Sequence, residues 1–334
     1  MKKGKLSANH SEKSIFARYY SKERFIDRFK KETKDSVDVI IPIMNTNELW
    51  KINLYSFYRE IPINRLIIGD GGCTDDSIKI ARRFPRIKVI KQARRKSLGY
   101  CIKELIKNVK TGWFVYLHAD VYLPSGWFDA MKKYQGKYDW YECCRKMTTM
   151  VELWHDAQNK GKRPLSGSQM GRTAAFKEIL PIIDDDYLQR NEDLIFAGLI
   201  KNKGFKYARI HDTFHYHQIM NKRGQLEPKF SRVLIEKEQD NAWVGKMKDM
   251  EARAIVKYLD PNPFLVQTLN LELFKVKEAG RLNWDEFKRW VKKTNPVWLE
   301  HIRIGTLGQR LIHLEQKLMH SGIKIYRLFK NGKK

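Results

Sequence analysis

An α/β fold, with a mainly parallel sheet flanked by helices, is predicted by three features of the 334-residue sequence. Between residues 37 and 117, short runs rich in β-branched residues alternate with helical patterns, as happens when crossover helices cover both faces of a parallel sheet. Polar clusters follow three of these runs directly, at the strand ends where such sheets bind their ligands. Past residue 220 the alternation gives way to helical patterns interrupted by Pro228, Pro261, Pro263 and Pro296.

The elements follow in order. Residues 1–36 are mixed and basic, and Ile15, Phe16, Tyr19, Tyr20, Ile26 and Phe29 recur at helical spacing among Lys and Arg, so this stretch reads as an amphipathic arm. Residues 37–220 hold the α/β pattern: VDVIIPI, a helical stretch from Leu49 to Tyr58, RLIIG, SIKIARRF, IKVI, a helix from Leu98 to Val109, and WFVYL. Leu98, Ile102, Leu105 and Val109 share one side of their helix and are core residues. Residues 221–334 form a helical, basic C-terminal region in which Leu307, Leu311, Leu314 and Leu318 make an apolar stripe.

Composition narrows the class. Hydrophobic residues at 42% and charged residues at 31% suit a folded globular chain, and the length allows a sizeable core without disulfides or metals. Lys and Arg exceed Asp and Glu by 65 to 38, a net charge of +27 that favours anionic partners. The four cysteines, Cys73, Cys101, Cys143 and Cys144, show no CxxC pairing, which fits a reducing, cytoplasmic compartment. No uncharged apolar run approaches the length of a membrane span, and the basic amino terminus lacks the apolar stretch of a secretion signal. The basic, aromatic arms, with Tyr19, Tyr20 and Phe25 at one end and Trp284, Trp290 and Trp298 at the other, suit the inner face of an anionic membrane. They equally suit packing on the main domain or a contact between copies, and the oligomeric state is left open.

The chemistry should sit in the three polar clusters. Asn45, Asn47 and Glu48 follow the first run, and GDGGCTDDS follows the second. In the latter, glycines allow a tight turn, and Thr74 or Asp75 can cap the helix from Ser77. Thr74 stands where a dinucleotide fingerprint needs its third glycine, so that reading fails. His118, Ala119 and Asp120 follow the third run. Two residues apart at a strand end, His118 and Asp120 fall on one side, able to share a divalent cation or a ligand hydroxyl. In ARIHDTFHYHQ, extended backbone would put His211, His215 and His217 on one face.

In order and spacing, VDVIIPIMNTNE, RLIIGDGGCTDDS, Leu98–Gly99 before a helix, and GWFVYLHADVYLP resemble the amino-terminal half of family 2 glycosyltransferases of the GT-A fold. GSQMGRTAAFKEI resembles the segment where their acceptor site begins, and NEDLIFAGLIKNKGFK resembles their EDxxL helix; the likeness spans about Val37 to His217. It implies a Rossmann-like GT-A sheet, a nucleotide-sugar donor, a saccharide or lipid-linked saccharide acceptor, and Mn²⁺ or Mg²⁺. The nucleotide-binding set so implied is Pro42, Asn45, Glu48, Asp70, Gly72, Asp75, Gly99, His118 and Ala119, with Arg94 among the basic residues that would face the diphosphate. Asp120 matches the last Asp of the family's DxD segment and His118 stands at the position of the first. Asp120 with His215 or His217 would hold the metal, Glu192 and Asp193 would be the catalytic pair, and Asp193 would be the base of an inverting transfer. The intervening Asp184, Asp185 and Asp186 read as a solvated loop, and Arg95, Lys222 and Arg223 as further basic candidates.

Two other classes compete. A nucleotidyltransferase forming nucleotide sugars on a related sheet would need a glycine-rich, Lys- or Arg-bearing loop after the first strand, and IPIMNTNELW has none. A nucleic-acid-binding protein is suggested by charge alone, without zinc ligands, RNP-like aromatics or a helix-turn-helix pattern, so no nucleic acid is expected.

Overall fold

The structure is a computed structural model that describes residues 35–46, 50–92, 96–147, 167–183, 188, 192–217 and 241–303. The amino-terminal arm, the Leu307–Leu318 stripe, Glu48, Arg94, Arg95, Asp184 to Asp186, Lys222 and Arg223 lie outside the described residues.

The α/β pattern becomes β1 (Val37–Ile43), α1 (Trp50–Glu60), β2 (Ile63–Asp70), α2 (Ser77–Ala81), β3 (Ile87–Lys91), α3 (Leu98–Lys107) and β4 (Trp113–Leu117). There follow β5 (Val121–Tyr122), α4 (Trp127–Lys132), β6 (Trp140–Met147), β7 (Ser168–Arg172), α5 (Thr173–Ile179), α6 (Glu192–Asn202) and β8 (Tyr207–His217). One eight-stranded sheet results, in the order β3-β2-β1-β4-β7-β6-β8-β5. The first four strands are parallel, β7 runs antiparallel to both its neighbours, and β6 is parallel to β8.

Successive side chains of β1 enter two different cores. Ile40 packs with Ile67, Phe114 and Ile102 on one face, while Val39 and Ile41 pack with Ile68, Val115 and Phe57 on the other. Burial on both faces explains why VDVIIPI reads as a continuous apolar run. Each such side chain contributes roughly 1.5–3 kcal/mol on leaving water.

At the amino-terminal end of the sheet, away from the polar clusters, the buried Asp38 accepts from Arg65, from Asn64 Nδ2 at 2.8 Å and from the Lys110 amide at 2.7 Å. Burial opposes its ionisation, but Arg65 and these hydrogen bonds outweigh it and hold the carboxyl below the usual carboxylate range. A carboxyl lowered on folding stabilises above the ordinary range, and that contribution is lost as pH falls through the lowered value. Asp38→Asn should cost on the order of 3 kcal/mol in urea unfolding at neutral pH, near the lower end of the cost of breaking a buried pair, because Arg65 keeps some water. The deficit should shrink in acid; an unchanged midpoint at neutral pH would refute this account.

Three further helices, α7 (Asn241–Tyr258), α8 (Pro263–Glu278) and α9 (Trp284–Thr294), complete the described chain, with a short 3₁₀ turn at Pro296–Glu300. α7 packs on α6 and carries α8 and α9. Of the aromatic residues offered as lipid-facing, Trp298 is fully buried and donates to the Leu259 carbonyl at 2.7 Å, while Trp284 and Trp290 pack half-buried on the larger core. Packing on the domain therefore describes all three.

Candidate active site

The loops after β1 and β2 are tied together by their own polar side chains. Asn45, at φ 60°, accepts the Thr74 amide through Oδ1 at 2.8 Å, and Asp75 accepts the Thr46 amide at 3.2 Å and the Ser77 amide at 3.0 Å. Asp70 Oδ1 accepts the amides of Gly72 and Cys73 at 3.0 and 2.8 Å. Slight burial opposes its charge, yet those amides and Lys91 keep the Asp70 carboxyl below its usual range. A cleft of about 180 Å³ is lined by Pro42, Asn45, Thr46, Tyr116, His118, Ala119 and Asp120, among others, and Asp70 holds the loop after β2, which is tied to Asn45 and Thr46 of that lining.

Gly99, expected at the nucleotide, makes a close contact within the fold. Its amide donates to the Leu188 carbonyl at 2.8 Å, and a Cβ there would overlap the Leu188 side chain. The glycine is needed for close approach to the segment leading into α6. Gly99→Ala should therefore push that segment outward and lower turnover at least tenfold while shifting the unfolding midpoint by only a few degrees. Wild-type turnover in this variant would show that the contact is dispensable.

Beyond β4 the chain leaves the strand at His118 and turns through Ala119 and Asp120. The turn, rather than strand alternation, brings His118 and Asp120 together, and β8, paired antiparallel with β5, adds His217. One donor atom from each of the three lies within 4.8 Å of the others, and His217 Nε2 stands 3.2 Å from Asp120 Oδ2. Burial drives the His118 imidazole down to about 4, with His217 and Arg145 adding to the effect against Asp120. Burial also opposes charge on Asp120, but His217 and His118 outweigh it, and the carboxyl is held well below the usual range. Since His118 is itself uncharged near neutrality, His217 is the larger support. An anionic oxygen beside two imidazole nitrogens is a donor set that suits Mn²⁺ better than Mg²⁺, which prefers oxygen alone.

His215 lies next to this trio, its ring centroid 5.7 Å from that of His217, but has other polar partners. It is fully buried, its Nδ1 lies 2.7 Å from Ser168 Oγ and 3.5 Å from Cys143 Sγ, and its Nε2 faces Gly167, whose φ is +138°. Of the two histidines left open by the sequence, the structure sets His217, not His215, against Asp120. His211 is on neither side of that choice. Register slips between Cys143 and Cys144, whose partners are Ile210 and Phe214, so residues 211–213 form an irregular excursion. That excursion carries His211 to the opposite face, 3.2 Å from Cys144 Sγ. The single histidine face expected of an extended strand is thereby broken.

Glu192 and Asp193 are both buried at the start of α6. Both lie within electrostatic reach of Tyr116, whose ionisation is opposed first by burial and then by Glu192, Asp193 and Asp120. The same hydroxyl is 2.8 Å from His118 Nε2. Carboxylates of the two distant segments thus act on one tyrosine. Sequence reasoning assigned Tyr116 only to an apolar strand, although alternation from His118 places it on the same side. It also passed over Arg145, whose charge reaches His118 and His215.

Solved structures show an overall likeness at low identity. TarS 1–349 of S. aureus in complex with UDP-GlcNAc is 14% identical, covering 76% of this chain and 78% of that one, with a TM-score of 0.48. TarS in complex with UDP is 13% identical over 84% and 86%, with a TM-score of 0.49. The mannosyltransferase PcManGT from Pyrobaculum calidifontis, in complex with GDP-Man and Mn²⁺, is 12% identical over 94% of each chain, with a TM-score of 0.47. No curated protein matches the chain. The sequence profile of glycosyl transferase family 2 matches residues 38–194, a little under half the chain and the part that carries β1 to the start of α6. Residues 38–194 belong to glycosyl transferase family 2, and the chain is a glycosyltransferase.

Proposed function

We propose that the chain transfers a sugar from a nucleotide-sugar donor to a hydroxyl or phosphate of a saccharide or lipid-linked saccharide, with inversion and with the help of a divalent cation. The observation that supports this reading is a cleft lined by Asn45, Tyr116, His118 and Asp120, with His217 beside Asp120 and with Glu192 and Asp193 within electrostatic reach of Tyr116.

In this reading the β1 and β2 loops receive the nucleoside, with Asp70 placed for a ribose hydroxyl and the cross-loop hydrogen bonds setting the pocket's shape before binding. His118, Asp120 and His217 would hold Mn²⁺ or Mg²⁺, which supplies charge neutralisation for the departing diphosphate. Arg145 adds fixed positive charge on the same side. Asp193 takes the proton of the acceptor hydroxyl as its oxygen bonds to the anomeric carbon and the bond from that carbon to the diphosphate oxygen breaks on the opposite face. Burial at a helix start suits a carboxylate for this task, since the helix dipole favours its charge before the proton arrives.

No helix among the described residues is long and apolar enough to cross a membrane. Lys288, Arg289, Lys292 and Lys293 lie exposed along α9, and this basic face supports peripheral contact with an anionic inner leaflet as part of the same proposal.

Thermal shifts with UDP, GDP, dTDP and CMP, each with and without Mn²⁺, test the donor reading. One nucleotide should raise the unfolding midpoint, and more so with the metal; at 100 times its Kd the stabilisation is about 2.7 kcal/mol. Indifference to every nucleotide under both conditions would overturn it.

A further inference from the structure

Helix α1 runs beside the turn that carries Asp120 and meets it with a row of polar side chains. Asn53 Nδ2 donates to the Ala119 carbonyl at 2.8 Å, and Ser56, one turn on, accepts the Leu123 amide at 3.1 Å while donating to the Asn53 carbonyl at 2.7 Å. A further turn along, Arg59 donates to the Leu123 carbonyl at 2.7 Å and to the Tyr122 hydroxyl at 2.9 Å. A spacing of three residues sets these groups on one helical face. Asn53 is the member that packing does not explain. It is fully buried in a helix that otherwise enters the core through Trp50, Leu54 and Phe57, where asparagine is a poor helix former and its amide gives up water. Its Oδ1 has no hydrogen-bond partner among the described residues, so the amide is held there by its bond to Ala119.

That bond acts on the peptide between Ala119 and Asp120. The unit is planar, so fixing the Ala119 carbonyl also fixes the direction in which the chain enters Asp120. Just beyond, β5 pairs Val121 with His217, and His217 Nε2 stands 3.2 Å from Asp120 Oδ2. We infer that Asn53 is a positioning residue, which through the Ala119 carbonyl orients the Asp120 carboxylate toward His118 and His217 for the divalent cation. This rests on the cation reading above and names the part of the fold that aims its carboxylate. Ser56 and Arg59 secure the far end of the segment and bear on stability instead. Partners of this kind behind a metal ligand typically account for a 10- to 100-fold change in metal affinity.

The test is direct Mn²⁺ binding to the full-length chain, with free Mn²⁺ followed by electron paramagnetic resonance and no nucleotide present. Asn53→Leu, similar in size but without a donor, should weaken binding about 10- to 100-fold. Ser56→Ala is the control, since it loosens the same seam one turn away: it should lower the unfolding midpoint yet bind Mn²⁺ almost as wild type does. A merely structural contribution of Asn53 would move the midpoint and leave the affinity alone. Binding by Asn53→Leu as tight as wild type, in a protein where Asp120→Ala abolishes it, would overturn the inference and leave the cation reading standing. Equal losses in Asn53→Leu and Ser56→Ala would also overturn it, by assigning the effect to the seam as a whole. Equal Mn²⁺ binding by wild type and Asp120→Ala would remove the cation reading itself, and the inference with it. Circular dichroism checks that each variant is folded; should Asn53→Leu fail to fold, Asn53→Ala, which suits the helix and adds no bulk, is read by the same criteria.

Discussion

Asp193→Asn should lower kcat by roughly 10²- to 10⁴-fold, the usual contribution of a positioned general base, while leaving nucleotide binding and the unfolding midpoint near wild type. The two effects separate because the side chain has two duties of unequal size. Structurally, Asp193 Oδ1 accepts the Leu194 amide at 2.8 Å, and an asparagine carbonyl can do the same. The carboxylate charge at the helix start is worth about 0.3–1 kcal/mol. Chemically, asparagine cannot take a proton from a hydroxyl, so the barrier rises by several times that amount. The measurement is single-turnover transfer alongside a thermal melt. A variant that melts normally and transfers at the wild-type rate would take the base assignment away from Asp193. One that loses nucleotide binding in step with kcat would instead place it on the donor side.

Much of the fold was legible because its signals are local. VDVIIPI, RLIIG and WFVYL are buried on both faces, so their apolar character is continuous and independent of what lies opposite, and the sheet follows from it. The polar clusters at their ends were readable for the same reason: a strand end and its loop are adjacent in sequence. What sequence periodicity could not show depends on distant backbone. That Leu188, far along the chain, needs the space beside Gly99 leaves no mark in the local pattern. His211 and His217 share parity in sequence, but the slip opposite Cys143 and Cys144 undoes it, since an irregular excursion in one strand is set by its partner. The choice of His217 over His215 likewise depends on Ser168 of β7 and Cys143 of β6, which lie against His215. Tyr116 was hidden in another way. A tyrosine within an apolar run has no signature that separates a packed ring from a hydrogen-bonded hydroxyl, and only the turn after β4 brings His118 Nε2 to that hydroxyl.

Asp120→Ala should reduce transfer by about 10³-fold or more, because several kcal/mol of charge stabilisation at the leaving group depend on the cation. Among His118, Asp120 and His217, the carboxylate is the one group that brings negative charge to the cluster, so its loss leaves two imidazoles with little hold on a hard divalent ion. Chelation should mimic the substitution: EDTA should silence the wild-type chain, and added Mn²⁺ should restore it but not Asp120→Ala. Mg²⁺ should restore less, since two of the three donors are nitrogen. Nucleotide affinity in the absence of metal should be nearly the same in both proteins, because the Asn45–Asp70–Asp75 seam is built without any bond to Asp120. Transfer that persists through exhaustive chelation would dismiss the cation even if Asp120→Ala were inactive. In that case the carboxylate's remaining work would be its contact with His217, and the positive charge for the departing diphosphate would have to come from side chains such as Arg145.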